Sequence, residues 1–254
     1  MLALYSFGPA ANSLKPLLTL HEKELEFEHH FIDPSKFEQH SDWFKKINPR
    51  GQVPALLHDG RVITESTVIC EYLEDVFPDA GAKLRPDDPY ERAQMRIWTK
   101  WVDEYFCWCV STIGWAVGIR HIAVKMTDEE FEAHLRNVPI PEQRVKWRHA
   151  REGFPQEILD EEYRKIGVSV RRLEERLKDH DWLTDAGYTL ADICNFAIAN
   201  RMQDSLSQYV NEADTPGVMR WLRRINDRPA VKEMFAHTRS EFAKREDAAL
   251  DPRR

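Results

Sequence analysis

The sequence has little cysteine and no arrangement of it that does chemistry. Four occur in 254 residues, Cys70, Cys107, Cys109 and Cys194, with no CxxC pair and no metal-ligand spacing. Cys107 and Cys109 fall on nearly opposite sides of a helix and cannot share a ligand. No metal is expected, nor thioredoxin-type redox chemistry. The usage fits a reducing, cytoplasmic compartment, with all four as small core residues. There is no run of like charge either. Lys and Arg total 36 against 43 Asp and Glu, a formal net charge of -7. Nucleic acid or an anionic membrane surface would want a basic patch that is missing. The longest uncharged stretch, residues 105–119, is too short to cross a bilayer and carries Ser111, Thr112, Gly114 and Gly118. Met1 to Ser6 has no basic residue and reads as a strand, not a signal peptide. No internal repeat is visible. What is present, 42% hydrophobic and 31% charged residues, describes a folded globular chain.

Residues 1–80 alternate strand and helix signals. Strands are expected at 2–6 and 27–32, with a helix between them capped by Ser13 and holding Pro16 in its first turn. Asp59-Gly60 joins strands 55–58 and 62–64 as a two-residue hairpin. A helix over 66–76 turns Val68, Ile69, Tyr72 and Leu73 inward. These make a small mixed sheet with helices on both faces. Pro78, Gly81, Pro86 and Pro89 then punctuate a polar stretch, and 81–89 reads as a linker.

Residues 90–254 read as all helical. A tryptophan-rich helix covers 90–117 and another 156–180. Thr189-Leu190-Ala191-Asp192 is a capping box, with Tyr188 and Ile193 placed for a hydrophobic staple. Pro216 and Pro229 sit at the first position of the last two helices. The last ten residues are polar and expected to fray. Residues 120–155 form an extended insertion. Thr127 and Glu130 start a short helix there, Pro139-Ile140-Pro141 breaks the chain, and Arg144, Lys146, Arg148 and Arg151 follow. A solvated flap and a lid over an active site both fit.

The most specific chemical signal is Asn48-Pro49-Arg50-Gly51-Gln52-Val53-Pro54-Ala55-Leu56, followed by Thr64-Glu65-Ser66. A proline opening a strand cannot donate to the sheet and suits a cis turn. That turn frees the backbone of Val53 to pair with an extended peptide. Ser66 opens a helix whose free N–H groups can hold a carboxylate, with Glu65 beside it to orient the ligand's other end. Taken singly, Ser66 is an ordinary helix cap and Val53-Pro54 an ordinary loop.

These residues together resemble the glutathione S-transferase family, and the resemblance covers nearly the whole chain. It implies a thioredoxin-like α/β N-terminal domain followed by an all-α helical-bundle domain, with glutathione as co-substrate. It implies that Val53 pairs with the cysteinyl backbone, that Glu65 and Ser66 hold the γ-glutamyl group, and that Gln39 and His40 reach the glycine carboxylate. Gln52 is a further contact. Gln39 and His40 also fit a plain solvated loop. The loop that would activate the thiol, Phe7 to Ser13, departs from the family patterns. Phe7 has no hydroxyl, no cysteine is present, and only Asn12 and Ser13 can donate. Ser13 can equally be no more than a helix cap. A thiol of pKa roughly 8.5 needs such a donor to ionise near neutrality.

Segments 4–9, 12–16, 33–44, 101–109 and 137–143 narrow the resemblance to the bacterial lignin β-aryl ether-cleaving glutathione transferases, the β-etherases, and within them to the type acting on βS enantiomers. The implied reaction is thiolate attack at Cβ of an α-keto β-aryl ether, with a phenol such as guaiacol leaving and a β-glutathionyl ketone forming. Trp108, Ser111 and Trp115, at i, i+3 and i+7, with Pro9, are the expected walls for the substrate rings. Both tryptophans fit a core role equally. A homodimer is expected, as is usual for the family. A broad-specificity detoxifying transferase and a non-enzymatic interaction module are the competing readings. The module is disfavoured because a scaffold needs no peptide-binding groove.

Overall fold

The structure, a computed structural model, describes residues 1–8 and 11–243. Pro9, expected in the aromatic pocket, and the terminal stretch expected to fray lie outside the described residues. Four strands, β1 (Leu2–Ser6), β2 (Glu28–Phe31), β3 (Ala55–His58) and β4 (Arg61–Thr64), form one mixed sheet in the order β2-β1-β3-β4. β1 runs parallel to β2 and antiparallel to β3, pairing Leu4 with Leu56. β1 is central and covered on both faces, so Leu2, Ala3 and Leu4 are all buried. The β3–β4 turn sits on Asp59 and Gly60, both at positive φ, as a two-residue hairpin of this twist requires.

Helix α1 (Ala11–Glu22) packs against α3 (Ser66–Val76) and reaches across to α10 and α13 (Leu190–Ala199 and Pro229–Ala243). Ser13 lies inside the first turn of α1, not at its cap, and is buried. In α3, Ile69 and Leu73 are buried, but Val68 is 55% exposed and points away from the sheet, contrary to the sequence expectation. Residue 68 lies about 100° round the helix from 69, which is enough to leave the apolar stripe.

The tryptophan-rich helix is a rod with two changes of pitch. It runs as α4 (Pro89–Trp101), a π-helical turn (Val102–Phe106), α5 (Cys107–Gly114), a second π turn (Trp115–Ile119) and α6 (Arg120–Ala123). In the first turn the Cys107 N–H reaches back five residues to the Val102 carbonyl. α9 (Gln156–Leu177) packs along α5, and α10 sits centrally, every residue buried. Thr189 and Asp192 form the capping box that was expected, and Asp192 also accepts from Leu183 N–H and Trp221 Nε1. α11 (Met202–Ser205) and α12 (Pro216–Asn226) complete this part.

The insertion is no solvated flap. Thr127 and Glu130 form a reciprocal cap on α7 (Asp128–Asn137), and α8 (Pro141–Glu152) folds back beside it. Phe131, Leu135, Val138, Trp147 and Ala150 make a second apolar core, against which Phe37 and Trp115 pack. The two halves of the chain are also tied elsewhere. Glu22 on α1 accepts two bonds from the Arg228 guanidinium and one from the Tyr188 hydroxyl.

Candidate functional site

The start of α1 brings two side chains toward the rod. Ser13 Oγ accepts from the Phe7 N–H at 3.3 Å, which leaves its own proton to be donated. Asn12 Oδ1 accepts from the Cys107 thiol at 3.5 Å, so its amide nitrogen is the end left to donate. Cys107 is therefore a domain-interface residue and not the core residue expected. The other three cysteines are buried as expected. The N–H groups of the first turn of α1 add a positive end at the same place.

Val53 and Pro54 precede β3, and the peptide between them is cis. Asn48 Nδ2 bonds the Gln52 carbonyl at 2.7 Å and so braces the loop from inside. Gln52 Oε1 accepts from Arg50 Nε. Glu65 stands just before α3 with an exposed carboxylate and a left-handed backbone, φ 67°. Such a φ is strained for a residue with a Cβ and marks a held position. Ser66 is the first residue of α3, one place later than a cap, and buried. The strand-to-helix corner thus presents one carboxylate and one hydroxyl at a helix N-terminus.

Gln39 and His40 lie on a short 3₁₀ turn just ahead of helix α2 (Asp42–Ile47), and they do not form a solvated loop. The His40 ring is buried, and burial, with His134 and Lys45 adding to it, pulls its pKa down to about 4. It is neutral near pH 7 and offers a hydrogen bond, not a charge. Its ring lies 5.4 Å from that of His134 on α7, which burial also brings to about 4. Gly51 closes this corner. At φ +61° a Cβ there would lie 2.9 Å from the Gln39 carbonyl and 3.3 Å from Pro139 of the insertion. A cavity of about 760 Å³ opens beside it, lined by Lys36, His40, His121, Lys125 and His134, apart from Asn12 and Ser13.

Residues 1–75 match the glutathione S-transferase N-terminal domain, and residues 106–229 match the glutathione S-transferase C-terminal domain. The chain belongs to the glutathione S-transferase family. It is 72% identical to Protein LigF of Sphingobium sp. (strain NBRC 103272 / SYK-6) over 250 residues, 97% of this chain and 95% of that one. The crystal structure of beta-etherase LigF from Sphingobium sp. strain SYK-6 superposes with a TM-score of 0.92, covering 93% of this chain and 99% of that one. Glutathione S-transferase U27 of Arabidopsis thaliana is 31% identical over 90% of this chain and 85% of its own. Glutathione transferase F7 from Populus trichocarpa gives a TM-score of 0.70 at 28% identity, covering 93% and 98%.

In this glutathione S-transferase the expected aromatic walls are arranged around a charge. Trp108 on α5 is 61% exposed, so it is no core residue. Trp115 is half-buried and meets Trp147 of α8 edge-on at 5.2 Å. Between them Lys146 Nζ donates to Ser111 Oγ at 3.0 Å. In the sequence Lys146 stands only as one member of a charged stretch. The available signal was periodicity, since residues 143, 146, 147 and 150 form one stripe at helical spacing. No helix among the described residues is long and apolar enough to cross a membrane.

Proposed function

We propose that this chain is a cytoplasmic glutathione-dependent β-etherase of lignin-derived α-keto dimers. The thiolate of bound glutathione attacks Cβ, the Cβ–O bond breaks with inversion, a phenol such as guaiacol leaves and a β-glutathionyl ketone forms. The carrying observation is the 72% identity to LigF along almost the full length of both chains. Glutathione lies along the corner of Gln52, Val53, Pro54, Glu65 and Ser66, with Gln39 and His40 toward its glycine end. Asn12 and Ser13 donate to its sulfur. Trp108, Ser111 and Trp115 hold the substrate rings, and Pro9 belongs to the same proposed pocket. The chain divides at 81–89, and no metal takes part. Little acid strength is demanded for an activated aryl ether, so the protein's first task is to hold the thiolate in line with the C–O bond.

The βS enantiomer is the preferred substrate. The active protein is a homodimer, supported by the exposed Val68, Tyr90 and Ile97 on adjoining helices. The test is direct: each enantiomer of a β-guaiacyl ketone is incubated with glutathione and guaiacol is followed by chromatography. Release from the βS form is expected. No guaiacol from either form would overturn the assignment, and release from the βR form alone would overturn the enantiomer preference.

A further inference from the structure

Glutathione activation does not call for the ammonium group found at the insertion. Lys146 turns from α8 toward the rod, bonding Ser111 and standing 5.7 Å and 5.2 Å from the ring centres of Trp108 and Trp115. Among the described residues no carboxylate forms an ion pair with it. The titratable groups that face it are Cys107 from α5 and, from α9, Glu162, which bonds Lys165 instead. A bond to Ser111 uses one of its three protons and leaves two for something else.

Its place relative to the thiol site is set by the helix. Cys107 and Ser111 are four residues apart on α5, on one face and roughly one turn apart. Cys107 touches Asn12, and Ser111 touches Lys146. Asn12 and Lys146 thus meet the rod at points about one helical turn, ~5 Å, apart along its axis. In-line displacement sends the leaving oxygen away from sulfur, in the direction of a group so placed.

We propose that Lys146 is the acid that receives the leaving phenoxide. The inference deepens the β-etherase reading and rests on it. The thiolate electron pair forms the S–Cβ bond, and the pair of the Cβ–O bond stays on the aryl oxygen. Nζ passes one proton to that oxygen, so a neutral phenol departs. The resulting amine takes back a proton from water, replacing the one released when the thiol ionised. Glutathione and ether become thioether and phenol, with no other reactant.

The acidity suits the task. Burial brings the Lys146 ammonium down to about 8. It remains mostly protonated at pH 7, yet is a stronger acid than a phenol of pKa ~10, so the transfer runs downhill. The two tryptophan faces hold the cation in place without neutralising it, which a carboxylate partner would do.

Two variants and two ethers test this. Lys146→Met keeps the stem and removes the charge. Lys146→Arg keeps the charge and the fold but does not give up its proton. Phenol release at saturating glutathione is measured for α-keto ethers differing only in the leaving group, guaiacol or the much less basic 4-nitrophenol. Lys146→Met is expected to slow guaiacol release roughly 100-fold and nitrophenol release less than about 3-fold, with the glutathione KM unchanged. Lys146→Arg should recover only part of the guaiacol rate. Equal losses on both ethers would make Lys146 a packing element of the wall, and full guaiacol rates in Lys146→Met would make it a bystander. Either result overturns the proposal. A wild-type protein that released neither phenol would overturn the etherase reading itself.

Discussion

Asn12 and Ser13 are neighbours on one turn, but each is held by a different partner. Ser13 is fixed by the Phe7 backbone and Asn12 by the Cys107 thiol of the helical part. In the proposed function each keeps a donor group for the glutathione sulfur, the Ser13 hydroxyl and the Asn12 amide. A hydrogen bond to a charged group contributes roughly 1.5–3 kcal/mol, so losing a sole donor would cost on the order of 10- to 100-fold in rate. With two donors, Asn12→Ala and Ser13→Ala are each expected to be partly active and the double variant far less so. The check is the pKa of bound glutathione, read from thiolate absorbance against pH. It should rise in each variant and furthest in the double, and a double variant with the wild-type value would leave activation to backbone N–H groups. The role proposed for Glu65 is in binding instead. Its carboxylate is exposed and its backbone strained into place, so Glu65→Ala should raise the glutathione KM roughly 10- to 100-fold with the melting temperature little changed. An unchanged KM would remove Glu65 from the groove.

At the scale of elements, α7 and α8 form a wall whose join to the sheet part passes through buried histidines. His40 and His134 are held neutral by burial, both near 4 against an ordinary 6.5. The unfolded chain therefore binds more protons than the folded one between those values. Their stabilising contribution is complete above about pH 6.5 and is lost as pH falls toward 4. Thermal melts should fall steeply across that window, and His134→Phe, packed between Phe37 and the edge of Trp147, should flatten the fall. A melt profile unaltered by the substitution would show that the wall joins in some other way. Replacing residues 120–155 by a short linker is expected to spare glutathione binding and abolish guaiacol release, since Lys146 and the packing of Trp115 go with it. Full ether cleavage by that protein would make the segment a bystander. Most of these elements were legible in the sequence because their signals are local. Two capping boxes, one Asp-Gly hairpin and two helix-opening prolines specify their own backbone within four residues. The π turns were not legible, because Val102 to Phe106 is ordinary helical sequence and packing on both sides decides its pitch. Cys107 was misplaced for the same reason, and Val68 because a stripe on paper is wider than the stripe the sheet covers.

At the scale of the whole molecule one apolar core runs through both parts, and part-buried ion pairs cross between them. Arg228, near the end of the described chain, reaches back to Glu22 at the end of α1, and Lys15 on α1 pairs with Asp103 on the rod. Both tie α1 to the helical part, beside the packing of α1 on α10 and α13. One face is left uncovered. Val68 on α3 and Tyr90 and Ile97 on α4 are 55%, 67% and 50% exposed, and the bidentate Arg96–Glu71 pair braces the two helices that carry them. In the proposed homodimer this is the surface that the second protomer would cover. A dimer mass by light scattering at micromolar concentration is expected for the wild type and a monomer for Ile97→Glu. A monomeric wild type would mean that the patch is simply tolerated.

The two π turns make the rod a device with three phases. Each adds a residue that a regular helix would not hold, and so turns everything beyond it by a fraction of a revolution. The stretch before the first turn presents Met95 and Thr99 inward, the middle stretch sets Cys107 against Asn12 and Ser111 against Lys146 while Cys109 and Ile113 face the core, and the second turn carries Trp115. Removing one residue from either turn would restore an even ladder and rotate one stretch against the next by about 100°. Substitutions along the rod alter the site one group at a time, whereas a single deletion would swing a whole set of groups out of alignment at once. The catalytic geometry is in this sense stored as an angle, and relatives that differ in length within 102–119 would differ in what they can hold.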